Sequence, residues 1–232
     1  MATSRSGSTR VRRRPTRAGV VLDPGLIIDT ALRLIEAPGG NALTVRRLGV
    51  ELGADPTAIY RYFRNLDALL LAIADRLVVE SLDGYQPGPD WEPALRELAG
   101  RLHASMLRHP RLAMLRAVRF TAGPYELKAA DLGIGLLMSA GFSAAEAVRH
   151  YRDVIETVLS LAVIDASELT PEQQRSEDEA LTSAYASLSE TEFPHLAAAR
   201  EHLPELADSA VPTVLDRLID SLAREAGERR KT

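Results

Sequence analysis

The chain has 232 residues, and 46% of them are hydrophobic, which is enough for a packed core and argues against global disorder. It contains no cysteine, which excludes disulfides, thiolate catalysis and cysteine-based zinc sites. No apolar run reaches the ~18 residues of a membrane helix, and we find no signal-peptide core, so we expect a cytoplasmic protein of bacterial type.

The net charge of −4 conceals an uneven distribution. Residues 1–66 hold eleven arginines and five carboxylates, a net charge of +6, whereas the remainder holds seventeen basic and twenty-seven acidic residues, a net charge of −10. A basic segment suits contact with phosphates, and an acidic body is repelled from a duplex. A solvated charge run without a partner is the alternative.

Residues 1–22 contain no acidic residue and are rich in arginine. We predict a disordered basic arm, in which Arg12, Arg13 and Arg14 follow the DNA backbone or enter a minor groove. An organelle transit peptide is the competing interpretation. The arm leads directly into a basic helical segment, which favours the first.

Signals for helix starts and ends predict four helices between residues 23 and 83. The first ends at Pro38-Gly39-Gly40, and a turn at Gly53 separates the second from the third. The predicted caps are Asp23, Thr44, Asp55 and Asn65.

The rest of the chain has helix start and end signals of the same kind. We predict six helices in this part of the chain. The first covers 91–108, the second ends at Gly123-Pro124 and the third ends at Gly141. The fourth covers 143–166 and begins with a capping box, the fifth begins at Thr170-Pro171, and the last covers 209–227. No stretch alternates as a strand would, and no internal repeat is present. The sequence therefore predicts an all-α fold of about nine or ten helices.

The short helix that follows the Gly53 turn is typical of a helix-turn-helix DNA-binding unit. Tyr60, Arg61 and Tyr62 are consecutive, so they cannot all face the core. Arg61 could pair with a guanine, which is worth roughly 1–3 kcal/mol of base discrimination. A solvated Arg61 and half-buried tyrosines are the structural alternatives. The predicted DNA-contacting residues are Thr44, Arg46, Thr57, Tyr60, Arg61 and Tyr62.

A wider pattern runs through residues 24–74. Its pieces are Ala31 to Leu34, residues 43–48, Leu52-Gly53, residues 58–63 and residues 68–70. In these pieces the segment resembles the DNA-binding domain of the tetracycline-repressor family of bacterial regulators. The resemblance implies a homodimeric, all-helical repressor whose C-terminal domain binds a small effector and dimerises. By its position in this pattern, Pro56 joins the predicted DNA-contacting residues. The family often has a lysine in the region where Leu66 stands here, and Arg64 is predicted to substitute for that lysine.

The body resembles the tetracycline-repressor branch more weakly, through Trp91 with Leu95 and Leu98, residues 107–110 and residues 139–143. Tetracycline recognition in that branch uses a magnesium ion held partly by a histidine. No histidine lies between Pro110 and Arg149, so we expect a different effector. The histidines form no His-x-x-x-His pair, and we predict neither a metal nor a cofactor.

An effector pocket is expected among the helices of 91–166, although core or surface roles are the alternative for each candidate. The candidates are His103, Met106, Arg119, Phe120, Tyr125, Arg152 and Glu156. Two apolar stripes suit a twofold helical contact, and burial within one subunit is the alternative for about half of their residues. The stripes comprise Tyr151, Val154, Ile155, Val158, Val211, Leu215, Leu218, Ile219 and Leu222.

These expectations divide the chain into a basic arm (1–22), a DNA-binding domain (23–83) and an effector-binding and dimerisation domain (91–228). We expect a repressor that binds an inverted-repeat operator as a dimer and is released by a small molecule. The alternatives are a helical carrier without specific DNA binding and a nonspecific architectural DNA binder. No nucleophile motif, phosphate loop or catalytic acid pair is found, so we expect no enzyme activity.

Overall fold

The computed structural model describes residues 21–37, 43–117, 119–166 and 171–229. Residues 1–20 of the predicted basic arm, which include Arg12, Arg13 and Arg14, lie outside the described residues, as does the predicted helix end at 38–40. The last residue of the predicted arm, Leu22, is described and buried. The described residues form α-helices, one 3₁₀ helix and no β-strand, so the all-α prediction is confirmed. Within them, no helix is both long and apolar enough to cross a membrane.

The helices lie close to the predicted boundaries, with two additional short helices in the last third of the chain. They are α1 (Pro24–Glu36), α2 (Val45–Glu51), α3 (Pro56–Ile59), α4 (Leu66–Leu82), α5 (Trp91–Arg108), α6 (Pro110–Ala117), α7 (Pro124–Ser139), α8 (Ala144–Asp165), α9 (Pro171–Ala186), α10 (Pro194–Ala198), the 3₁₀ helix Arg200–Ala207 and α11 (Val211–Arg229).

The chain separates into two compact units, residues 1–76 and residues 77–232. The division falls within α4, earlier than the loop after residue 83 where we expected it. The reason lies in the last turns of α4, where Glu80 accepts hydrogen bonds at 2.9 Å from both Arg108 Nε and His109 Nε2. Burial opposes the charge of Glu80, but the hydrogen bonds from His109 and Arg108 outweigh it and lower the pKa of the carboxyl.

In the first unit, the predicted caps position the helices. Asp23 accepts from the Leu26 amide at 2.9 Å, Thr44 from the Arg47 amide at 3.1 Å and Asn65 from the Ala68 amide at 2.8 Å. Each cap satisfies an amide that the first helical turn leaves unpaired. The core beneath these helices contains Ile27, Leu48, Ile59, Leu69 and Ile73, all at most 1% exposed.

Two glycines permit the tight passage from α2 to α3. Gly53 has φ of 59°, a conformation that other residues adopt only at a cost. At Gly49, an added Cβ would lie 3.0 Å from the Ala54 carbonyl oxygen and 3.2 Å from the Pro56 Cα. The backbones of α2 and of the segment leading into α3 therefore approach each other closely only because residue 49 has no side chain.

In the second unit, α8 lies at the centre and packs against α5, α6, α7 and α11. Its buried face belongs to one continuous apolar core that also receives side chains from the other four helices. Between α8 and α11 in the chain lie α9 and α10, and both pack against the 3₁₀ helix. Pro194 begins α10 and Pro204 lies inside the 3₁₀ helix, and neither of these short helices was predicted from the sequence.

Polar contacts join α8 and α11 at both ends. The Ser209 hydroxyl, just before α11, donates to Asp165, the last residue of α8. At the opposite end, Arg229 donates to Glu146 at 2.7 Å and lies over the Phe142 ring. The start of each helix therefore lies beside the end of the other, and the two run antiparallel.

Candidate nucleic-acid interface and ligand cavity

The segment around α3 is a short helix that continues as a turn. The Asp55 carboxylate begins it, accepting from the Thr57 amide at 2.8 Å and the Thr57 hydroxyl at 2.6 Å. Beyond Ile59 the amides of Tyr62 and Phe63 donate to the Ile59 carbonyl at 3.0 and 3.1 Å. These bonds hold residues 60–63 in a helical turn, although the regular helix ends at Ile59.

This turn divides its side chains between the core and the surface. Ile59 is 1% exposed, whereas Tyr60 is 51% exposed and Arg61 is exposed as well. Of the other described residues predicted to contact DNA, Pro56 and Tyr62 are half-buried and the remainder are exposed. The exposed ones are Thr44, Arg46, Thr57 and Arg64.

Three arginines of this unit are exposed and without ion-pair partners among the described residues, namely Arg46, Arg61 and Arg64. In contrast, Arg33 lies 3.7 Å from Glu51, and Arg76 lies 3.5 Å from Asp29. An arginine that has no carboxylate partner keeps its donors available for phosphate or a base edge. The uncommitted positive charge of the described part of the unit therefore concentrates on α2 and on the residues that follow α3.

Tyr62 departs from the sequence prediction. It is half-buried, and its hydroxyl donates to the Leu22 carbonyl at 2.7 Å. The hydroxyl proton is therefore engaged within the protein and is not free for a phosphate. The half-buried packing role, the alternative considered for this tyrosine, is the one that the structure favours.

The second unit contains a cavity of about 510 Å³ between α6, α7 and α8. Its volume lies within the range typical of small-molecule sites. Most of the wall is apolar or aromatic. The lining residues are Arg116, Ala117, Arg119, Phe120, Glu126, Ala130, Ile134, Val148, Tyr151, Arg152, Ile155, Glu156 and Leu159.

A buried ion pair forms part of this wall. Arg116 Nη2 lies 2.9 Å from Glu126 Oε1, and both side chains are less than 10% exposed. Glu126 also accepts from the backbone amide and the hydroxyl of Thr121. Arg116 Nε is buried and has no hydrogen-bond partner within the described part of the chain. Burial also raises the pKa of Tyr151 to about 12, so its hydroxyl remains a proton donor at neutral pH.

The predicted effector residues divide into two groups. Arg119, Phe120, Arg152 and Glu156 line the cavity. The prediction for three others is corrected, since they are absent from the lining. His103 Nε2 contacts Asp165 at 2.8 Å, Met106 is in the core, and Tyr125 is 41% exposed at the start of α7.

The predicted dimerisation stripes are largely accounted for by one chain. Six of their nine side chains are buried in the subunit's own core, namely Val154, Val158, Val211, Leu215, Ile219 and Leu222. They are therefore core residues and not a free surface, which corrects the prediction. Tyr151 and Ile155 line the cavity, and Leu218 is half-buried.

Sequence reasoning missed several residues of the cavity, above all Arg116, Glu126 and Tyr151. The first two lie ten positions apart on either side of a loop, and no periodicity connects them. Tyr151 has the helical spacing of buried core residues, so nothing in that spacing indicated that it lines the cavity. Among the described residues, no group of three histidine, aspartate or glutamate side chains is arranged to hold a metal ion.

Comparison with known families decides what kind of protein carries these two sites. A family model described as bacterial regulatory proteins of the tetR family matches residues 27–73, and one described as the tetracyclin repressor-like C-terminal domain matches residues 84–223. The chain belongs to the tetracycline-repressor (TetR) family. It is therefore a DNA-binding transcriptional regulator, as the helix-turn-helix geometry indicates.

Individual TetR-family proteins agree with this assignment. The chain is 29% identical to the class C tetracycline repressor of Escherichia coli over 68% of its own length and 73% of the repressor. It is 33% identical to the class A repressor over 55% of its own length and 59% of that protein. Its fold is similar to Streptomyces coelicolor ActR crystallised with actinorhodin, with a TM-score of 0.76, 26% identity and coverage of 89% and 99% of the two chains.

Proposed function

We propose that the chain is a repressor that binds an inverted-repeat operator as a dimer and is released when a small molecule occupies the cavity. The observation that supports this most directly is the set of exposed, uncommitted arginines beside α2 and α3. A helix-turn-helix unit needs such side chains to contact phosphates and base edges. A dimer presents two of these units, and a two-fold axis then requires an inverted repeat.

The roles of the DNA-contacting residues follow from their exposure and chemistry. Arg61 reads a base edge, because its guanidinium can form two parallel hydrogen bonds with guanine. Tyr60 and Thr44 bind phosphate through hydroxyls, and Arg46 and Arg64 add charge. The Thr57 hydroxyl already donates to Asp55, so Thr57 contacts DNA through its methyl group. Pro56 begins α3 and contributes contact through its ring. The arm arginines, Arg12, Arg13 and Arg14, contact the neighbouring backbone.

The cavity between α6, α7 and α8 is the proposed effector site. Arg119, Phe120, Arg152 and Glu156 belong to it, together with Arg116, Glu126 and Tyr151. The structurally similar ActR has been crystallised with actinorhodin, which supports a small-molecule site in this chain as well. A ligand in the cavity lowers operator affinity if it binds the DNA-free conformation more tightly than the DNA-bound one. Thermodynamic linkage then requires that DNA weakens ligand binding by the same factor.

For the dimer, we propose contact through the faces of α8 and α11 that the subunit core leaves uncovered. Ile164 near the end of α8 is 68% exposed, and Leu218 on α11 is half-buried. Covering apolar surface of this kind stabilises a subunit interface. Replacing Ile164 with glutamate should shift sedimentation towards single subunits. We further propose that the protein acts in the cytoplasm on chromosomal DNA and has no catalytic activity.

Fluorescence anisotropy tests the function. The intergenic DNA upstream of the protein's own gene is compared with a scrambled duplex of equal length and composition, at two salt concentrations. A repressor prefers the upstream DNA at both salt concentrations. Equal affinity for both duplexes would indicate an architectural DNA binder, and no binding to either at moderate salt would indicate a helical carrier.

A further inference from the structure

Gly133 on α7 lies directly against the ring of Tyr151 on α8. A Cβ added at residue 133 would lie 2.4 Å from Tyr151 Cε2 and 2.6 Å from Cδ2, closer than carbon atoms approach in proteins. Tyr151 lines the cavity and Gly133 does not. The ring therefore lies between residue 133 and the cavity, and the missing side chain lets it rest against α7.

The same tyrosine supplies a hydrogen-bond donor at the cavity wall. Its hydroxyl has no partner among the described residues, and the charges of Arg116 and Glu126 both act on it. Glu126 is already satisfied by Arg116 and by two donors of Thr121. The polar end of the cavity thus offers one donor that has no acceptor among the described residues, the Tyr151 hydroxyl.

Resting on the proposed effector site, we infer that the cavity binds a largely apolar, ring-containing molecule that presents a hydrogen-bond acceptor to Tyr151, and that Gly133 sets the available volume by fixing the position of the Tyr151 ring. The apolar wall, with Phe120, Ile134 and Leu159, accommodates the rings. An acceptor at the polar end completes hydrogen bonds that a purely apolar molecule would leave unmade.

Two fluorescent probes that differ only in the acceptor test the assignment. Anilinonaphthalene sulfonate carries a sulfonate, and N-phenyl-1-naphthylamine has the same rings without it. The wild-type protein should bind the sulfonate more tightly, with saturation. Tyr151→Phe should weaken sulfonate binding about tenfold and leave the affinity for the uncharged probe unchanged. Equal sulfonate affinity in the two proteins would overturn the donor role of Tyr151.

The volume role of Gly133 has a matched control on the same helix. Gly135 is two residues further along α7, and an added Cβ there meets nothing within 4 Å. Gly133→Ala should weaken binding of both probes at least tenfold by pushing the Tyr151 ring into the cavity, and Gly135→Ala should weaken neither. Equal behaviour of the two alanine variants would overturn the volume role.

A double variant keeps this test valid if Gly133→Ala folds poorly. Once Tyr151 is replaced by alanine, the nearest remaining neighbour of the new Cβ is Leu98 Cδ2 at 3.7 Å, an ordinary contact. Gly133→Ala should therefore lower the melting temperature in the wild-type background and not in the Tyr151→Ala background. A similar loss in both backgrounds would contradict the proposed contact.

The readouts separate this inference from the proposed function. Probe fluorescence reports on the cavity alone, and operator anisotropy reports on DNA binding. If the probes bind as expected but never alter operator affinity, the release mechanism fails and the cavity assignment stands. If sulfonate binding disappears as protein concentration promotes association, a second copy covers the cavity and the ligand assignment is overturned.

Discussion

The hydroxyl of Tyr62 donates a hydrogen bond to the backbone carbonyl of Leu22 at 2.7 Å, joining residues forty positions apart. The bond connects the segment before α1 to the turn that follows α3. Tyr60, two positions before Tyr62, is 51% exposed and makes no such hydrogen bond with any described residue. Two tyrosines separated by one residue therefore have different tasks, one in stability and one at the surface.

Removing the two hydroxyls should separate these tasks. Tyr62→Phe leaves the Leu22 carbonyl without its donor and should lower the free energy of unfolding by about 0.5–1.5 kcal/mol, measured by urea denaturation. Tyr60→Phe should leave stability unchanged and weaken binding to DNA, measured by anisotropy. The reverse pattern, with Tyr60→Phe destabilising and Tyr62→Phe neutral, would contradict the assignment.

The close approach at Gly49 gives a prediction about the helix-turn-helix itself. Gly49→Ala places a Cβ against the backbone at Ala54 and Pro56, which cannot move as a flexible side chain would. We expect a loss of about 1–3 kcal/mol in unfolding free energy, together with weaker DNA binding because α3 is displaced.

Gly100 on α5 provides the control for this substitution, since an added Cβ meets nothing there within 4 Å. Gly100→Ala should be neutral, or stabilising by up to about 1 kcal/mol through helix propensity. If Gly49→Ala behaved in the same way as this control, the close packing between α2 and α3 would be refuted.

The capping box of α8 makes part of the stability depend on pH. The Ser143 hydroxyl and backbone amide, followed by Arg229, lower the pKa of Glu146 from its ordinary 4.5 to about 2. Because the folded-state pKa is depressed, the contribution of the charged carboxyl is complete above 4.5 and is lost as the pH falls towards 2. The stability difference between wild type and Glu146→Gln should therefore shrink over that interval.

Carboxyl NMR titration checks the cause directly. Ser143→Ala removes the hydroxyl that donates to Glu146 at 2.7 Å and should raise the pKa of this carboxyl towards its ordinary value. A wild-type carboxyl that already titrates near 4.5 would contradict the account.

The local rules of helix capping were sufficient to predict most of the fold. Asp23, Thr44, Asp55 and Asn65 each form the predicted cap, and Ser143 with Glu146 forms the predicted box. A helix cap depends only on residues a few positions apart in the chain, so a single sequence is enough to predict it. The short helices after Pro194 were not predicted as helices, because proline signals both a helix start and an interruption.

The ligand cavity and the dimer contact were harder to predict, because they depend on whether an apolar helix face packs inside the subunit or against another molecule. The spacing of Val154, Val158 and Ile219 shows that they share apolar faces, but not whether a second subunit or their own core covers them. The buried pair of Arg116 and Glu126 depends on tertiary packing across a loop. The exposure of Arg61, though not its role, could be predicted from local geometry, since Ile59 fixes the inward direction and leaves Arg61 exposed.

The most direct test of the account is the ratio of affinities for the preferred and the scrambled duplex, measured for wild type, Arg61→Ala and Lys128→Ala. Lys128 is exposed on α7, so its removal controls for the loss of one positive charge. We predict that Arg61→Ala lowers the ratio roughly 5- to 150-fold, the equivalent of about 1–3 kcal/mol, and that Lys128→Ala leaves it unchanged. An unchanged ratio in Arg61→Ala, with both affinities intact, would contradict the claim that this exposed arginine reads the operator.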